Sequence, residues 1–241
     1  MTTLVVGATG ATGRLLVQQL LDRGETVKAI VRSPEKLVEL QGNKNLSLIQ
    51  ASLLDLSDQE LAQHVQGCEA VASCLGHNLT MRRIYGRPRK LVTEAARRLC
   101  QAVKANNPSH SVKYVLMNTT GNSNRDIPER ISFAETAVLS ILRLLLPPQV
   151  DNEQAADYLR VKIGQNDPVI EWVAVRPDSL INQDVVTEYD IYPSPIRSAV
   201  FNAGKTSRIN VGHFMAELIT NADTWATWKG KMPVIYNKEI T

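Results

Sequence analysis

Gly7, Gly10 and Gly13 follow a short apolar run, Leu4 to Val6, and precede a stretch in which Leu16, Leu20 and Leu21 recur on one helical face. Each glycine has a chemical use at this spacing. The first permits a tight bend after a strand, the second lets backbone come close to a pyrophosphate, and the third lets a helix pack closely on the strand. A helix that starts here points free N–H groups and its positive dipole end at phosphates. Ordinary turns also use glycine. The order strand, glycine turn, amphipathic helix and second strand at 26–31 makes this a dinucleotide-binding pattern. The residue closing that second strand discriminates between cofactors. An acid would accept hydrogen bonds from the ribose hydroxyls of NAD, whereas Arg32, followed by Ser33 and Lys36, suits the 2′-phosphate of NADP. The plainer alternative leaves Arg32 as a solvated strand end and Lys36 as a surface residue.

The elements needed to position this turn continue along the chain, alternating strand and helix. Ser33 and Pro34 open a short helix, a third strand runs through 46–55 and ends near Asp55, and Ser57 with Glu60 has capping-box spacing for the next helix. A fourth strand at 68–76 brings Ser73, Cys74, Leu75 and Gly76 to its carboxyl end, where ligands of an open parallel sheet lie. Their small side chains leave room for a cofactor, although a plain turn also explains Gly76. The loop 77–90 is the most cationic stretch, with His77, Arg82, Arg83, Arg87, Arg89 and Lys90. It is expected near the nicotinamide end, where it would recognise an anionic substrate; a solvated face is the alternative. His77 is either a proton donor or a local hydrogen-bonding residue.

The next helix, over 88–106, carries the apolar stripe Leu91, Ala95, Leu99 and Val103. A fifth strand at 112–121 delivers Asn118, Thr119 and Thr120, whose polar groups either hold a substrate carbonyl or the nicotinamide amide, or cap the strand end. Residues 132–146 read as an apolar helix interrupted by Glu135 and Arg143, too short and charged to span a bilayer, that covers the site or forms a subunit contact. A further helix over 151–164 and a sixth strand ending at Arg176 and Pro177 complete the alternation. Beyond residue 181 the texture changes to a turn-rich stretch at 190–198, a short extended segment at 204–211, an amphipathic helix at 211–223 and a closing strand at 232–237. The expected fold is α/β, a doubly wound parallel sheet (Rossmann) in a single domain over 1–241, with 181–241 forming a small substrate-side lobe on the same sheet.

Composition sets the outer limits. A chain of 241 residues with 44% hydrophobic and 21% charged residues reads as a globular, soluble protein with a sizeable core. A net charge of +3, without basic runs interleaved with aromatics, argues against nucleic acid as a partner. Cys68, Cys74 and Cys100 lack the spacing of a zinc or redox pair, so no metal is expected. Free thiols and the absence of a leader-like N-terminal segment point to a cytoplasmic protein away from membranes.

GATGATG after the first strand, VRSPEKL at the second, ASLLD after the third, VLMNTTG at the fifth and WVAVRPDSL at the sixth together resemble the atypical short-chain dehydrogenase/reductases. The nearest branch is the NmrA-like and flavin/biliverdin-reductase-like NAD(P)-binding proteins. The resemblance runs over about residues 1–180, and RINVGHFMAELI is similar to the segment that these proteins place after the sixth strand. It implies NADP across the carboxyl edge of the sheet. Gly7, Thr9, Gly10 and Thr12 would lie along the pyrophosphate, Arg32 on the 2′-phosphate, Leu54 and Asp55 near adenine, and Cys74, Leu75 and Gly76 beside the nicotinamide ribose. Active members of the wider family use a serine or threonine, a tyrosine, and a lysine four residues later that lowers the tyrosine pKa. Thr119 occupies the hydroxyl position, and Tyr158 with Lys162 has the required spacing. Tyr158 lies closer to Pro177 than the family's usual interval, and aligning the helix instead puts the family lysine near Asn152 or Glu153.

Two activities follow. The first is an NADP-dependent oxidoreductase passing hydride to a small, anionic or aromatic carbonyl, quinone or flavin-like compound. The second is a non-catalytic NADP(H)-sensing protein of NmrA-like type that acts on a regulatory protein partner. A homodimer is compatible with either, and epimerase or dehydratase chemistry is disfavoured by the small C-terminal lobe.

Overall fold

The computed structural model describes residues 1–77, 90–129 and 132–238. The arginines 82, 83, 87 and 89 of the expected cationic loop lie outside the described residues. Strand β1 (Thr2–Val6) lies inside the sheet, and its Leu4, Val5 and Val6 are buried on both faces. β2 (Thr26–Val31) and β4 (Ala70–Ser73) pair with it in parallel, with Val6 opposite Ile30 on one side and Ser73 on the other. Outward from these lie β3 (Leu46–Gln50) on one flank and β5 (Val112–Met117), β6 (Ile170–Pro177), β10 (Val234–Asn237) and β8 (Tyr189–Tyr192) on the other. The order is β3-β2-β1-β4-β5-β6-β10-β8, parallel throughout except for β8, which is antiparallel to β10. The chain reverses direction across the sheet between β1 and β4, which opens a crevice at their carboxyl ends.

Two layers of helix close over the sheet. Side chains alternate along each strand, so Leu4 and Val6 face one layer and Val5 the other. The first layer contains α2 (Asp58–Val65), α3 (Leu91–Ala105) and α5 (Pro147–Asp157); between α3 and α5 in the chain comes α4 (Phe133–Leu145). The second contains α1 (Ala11–Asp22), α6 (Arg208–Thr220) and α7 (Ala222–Trp228). The expected doubly wound architecture is therefore present, and Ser57 with Glu60 forms the reciprocal cap foreseen at α2.

Five local expectations change. The third strand stops at Gln50, because residues 51–56 leave the sheet and are tied to α3 by Arg98, which donates to the carbonyls of Leu53, Leu54 and Leu56. Pro34–Leu40 is a 3-10 segment in which Ser33 makes no side-chain cap bond. Residues 189–192 form a strand, and 205–211 contribute only β9 (Lys205–Ser207), paired with β7 (Ser179–Ile181), before α6 begins under a Ser207 cap. α6 is buried around most of its circumference, with Ile209, Val211, Phe214, Met215, Leu218 and Ile219 all enclosed. A helix wedged between α1 and the sheet does not need a narrow apolar stripe. Among the described residues no single helix is long and apolar enough to cross a membrane; α4 and the following helix reach that composition only as a pair bent by 104°.

Candidate cofactor-binding site

The glycine turn assigns each glycine a separate task. Gly7 has φ +75°, and a Cβ there would stand 2.5 Å from the Cys74 carbonyl carbon, so the turn and the end of β4 are in backbone contact. Gly10 is the N-cap of α1, and its N–H closes the turn onto Gly7 O at 2.9 Å. Gly13 presses the first helical turn onto Gly7, since a Cβ would lie 2.2 Å from Gly7 O. α1 starts with no side-chain cap and no acid in its first turn, unlike α2. Its leading N–H groups therefore remain available to an anion.

The crevice has two adjoining chambers. One, of about 340 Å³, is lined by Ile30, Val31, Ala51, Leu53, Leu54 and Asp55; the other, of about 600 Å³, by Gly10, Thr12, Lys36, Cys74, Gly76, His77, Met117, Leu180 and Arg208. Gly7, Thr9, Arg32, Leu75 and Leu91 line both. These volumes fall in the range of small-molecule and cofactor sites. Exposed Arg32 stands at the junction with exposed Lys36 beside it, and neither side chain has a hydrogen-bond or ion-pair partner among the described residues. Bare N–H groups, uncompensated cations and an apolar slot beside Leu54 fit the pyrophosphate, phosphate and ring of an adenine dinucleotide.

The chamber beyond Gly76 is lined by His77 and Cys74, both candidates from the sequence, and by Arg208, which sequence spacing did not reveal. Arg208, at the start of α6, donates to Asn182 Oδ1 at 2.8 Å and lines the chamber wall. His77 Nε2 is 2.6 Å from Asp151 Oδ2, and both side chains are almost wholly buried. Burial raises the Cys74 thiol to about 12, so it is protonated and unsuited to act as a thiolate. Arg98 holds the 51–56 loop, with its Nη2 also 2.8 Å from Asp58 Oδ1.

The three residues grouped by family likeness are not brought together at this crevice. Thr119 Oγ1 accepts from Gly121 N–H at 3.3 Å, and Thr119 is absent from the lining of both chambers. Tyr158 and Lys162 lie on the π-helical segment Tyr158–Ile163 that continues α5. Asp151 marks the level of the crevice, and Tyr158 is seven residues further down, about 10 Å along the helix. Tyr158 packs against the layer built on α3, and burial raises its hydroxyl to about 12, the opposite of the activation that a neighbouring lysine would provide. Lys162 is exposed. Asn152 gives its carbonyl to Asn118, and Glu153 is paired with Arg143 at 2.7 Å.

A family model described as NAD(P)H-binding matches residues 7–222. A 76-residue stretch is 42% identical to cinnamoyl-CoA reductase 2 of Medicago truncatula, covering 29% of this chain but only 22% of that protein. Among solved structures, the oxidoreductase ylbE from Lactococcus lactis aligns over 100% of this chain and 93% of its own, with TM-score 0.70 and 18% identity. A wide-type short-chain dehydrogenase/reductase from Veillonella parvula, solved in complex with NADP, aligns over 98% and 94% with TM-score 0.68 and 16% identity. At these identities the likeness to solved structures concerns the fold.

Proposed function

We propose, because this chain belongs to the NAD(P)H-binding family, that it is an NADP-dependent reductase acting on a small carbonyl, quinone or flavin-like acceptor. The observation that carries this reading is the shared wall of the two chambers, which allows one extended dinucleotide to reach from Leu54 and Asp55 to Gly76. The first turn of α1 holds the pyrophosphate, and Arg32 with Lys36 takes the 2′-phosphate. The reduced nicotinamide supplies hydride when bound. Arg208 gives the open end of the larger chamber a cation that favours an anionic acceptor. Three free cysteines agree with a reducing compartment such as the cytoplasm.

The test of activity is NADPH oxidation with quinones, flavins and small carbonyl compounds, run beside direct NADPH binding. Turnover on one class is expected. Tight binding with no turnover on any class contradicts the reductase reading and favours a sensing protein. That second reading draws support from the position of Tyr158 and Lys162 off the crevice, and from α4, which exposes Phe133, Ile141 and Leu144 as a surface for a second subunit or a partner. Cofactor choice is tested separately. Arg32→Asp is expected to weaken NADPH binding about tenfold or more, the loss of a charge-assisted phosphate contact, while changing NADH binding little. Equal weakening of both contradicts the assignment of Arg32 to the phosphate.

A further inference from the structure

His77 and Asp151 are 74 residues apart in the chain, yet their side chains meet at 2.6 Å on the wall of the larger chamber. Cofactor binding alone does not account for the pair. Asp151 caps α3 from outside that helix: Oδ2 accepts the N–H of Val92 at 2.8 Å and Oδ1 that of Thr93 at 3.0 Å, while the Thr93 hydroxyl donates to Asp151 O at 2.9 Å. Burial opposes ionisation of this carboxyl, but the hydrogen bonds from His77, Thr93 and Val92 outweigh it and hold the group below its usual range. An ionised Asp151 has no proton to give, so the hydrogen between the two side chains belongs to Nε2 of His77. The other ring nitrogen, Nδ1, is then the one able to gain or lose a proton.

We propose that His77, oriented by Asp151, is the proton donor to the acceptor reduced in this crevice. The inference rests on the reductase reading above. As hydride adds two electrons to the acceptor carbon, the acceptor oxygen becomes negative and takes the Nδ1 proton of the imidazolium. The O–H bond forms as the N–H bond breaks. Neutral His77 keeps its Nε2–H on Asp151 and recovers a proton from water, so one hydride and one proton have been added across the carbonyl. The arrangement supplies at the crevice the proton that Tyr158 and Lys162 are too far down their helix to deliver.

His77→Gln keeps an N–H donor for Asp151 and is the variant of choice, with an unchanged melting temperature as its control for folding. Turnover is expected to fall about 100-fold or more, the usual contribution of general acid catalysis, while the NADPH dissociation constant stays within about twofold. The fall of wild-type activity with rising pH should be absent from the variant. In ¹⁵N spectra of the full chain, NADP⁺ should shift Nδ1 of His77 and leave the rings of His64, His110 and His213 in place. Retained turnover with an unaltered pH profile, or a His77 ring indifferent to NADP⁺, overturns the assignment while the reductase reading stands. A wild-type protein that binds NADPH and reduces nothing overturns the reductase reading and the proton donor with it.

Discussion

Replacing Gly13 with alanine is expected to destabilise the protein by about 2–3 kcal/mol and to weaken NADPH binding about 100-fold. The new methyl would stand 2.2 Å from Gly7 O, 2.9 Å from Gly7 C and 3.1 Å from Ala8 Cα. All three are backbone atoms, so no side-chain rotation relieves the overlap. α1 must withdraw from β1 or the turn must open. Either movement also disturbs the contact with α6, which approaches α1 so closely that a Cβ on Gly212 would lie 3.0 Å from Leu16 N. Opening the turn moves the N–H groups proposed to hold the pyrophosphate, and displacements near 1 Å cost about two orders of magnitude in such sites. Gly42→Ala is the control, since nothing lies within 4 Å of a Cβ there. Its effect should stay within about 0.5 kcal/mol. Denaturant midpoints and NADPH titrations check both variants, and indistinguishable behaviour of the two contradicts the role given to Gly13.

The second large effect is at Arg176, where methionine is expected to cost about 3–5 kcal/mol. Arg176 is fully buried at the carboxyl end of β6 and gathers three separate segments. Its Nε donates to Met232 O at 2.7 Å, Nη1 to Asn122 O at 2.9 Å and Nη2 to Pro193 O at 3.3 Å, and Nη2 is paired with Glu129 at 2.7 Å. Removing the guanidinium strands the Glu129 carboxylate, whose side chain is 3% exposed, together with these carbonyls. The stranded charge is the larger cost. Adding Glu129→Leu to Arg176→Met should therefore recover stability relative to Arg176→Met alone. Failure of the double variant to exceed the single one in denaturant midpoint shows that the penalty lies in the carbonyl contacts.

The glycine turn and Arg32 were legible because the features they depend on are contiguous: a strand, a bend, a helix and a second strand within 32 residues. Strand order follows from the same alternation of strand and helix. Long-range pairs left no such trace. His77 with Asp151 and Arg98 with Leu53 are separated by 74 and 45 residues, and no periodicity marks one member as the partner of the other. Tyr158 and Lys162 show the converse, a spacing that is correct along the helix and silent about how far down the helix the crevice lies. α6 departs from the amphipathic expectation for a physical reason: an amphipathic pattern assumes one solvent face, and this helix is enclosed by α1 and the sheet. β8 is hidden in the sequence because Pro193 and Pro195 give the stretch the look of a turn, while pairing with β10 supplies its strand conformation.

A roomier groove of about 880 Å³ lies elsewhere, lined by Tyr192, Arg197, Lys205, Tyr236 and Lys238 among others, so size alone does not select the crevice at β1 and β4. A crystal structure of the protein with NADPH decides between them. The pyrophosphate is expected over the N–H groups of Gly10 to Thr12, the 2′-phosphate against Arg32 and adenine beside Leu54. NADPH seated in the C-terminal groove, or lying in the crevice with its 2′-phosphate turned away from Arg32, contradicts it.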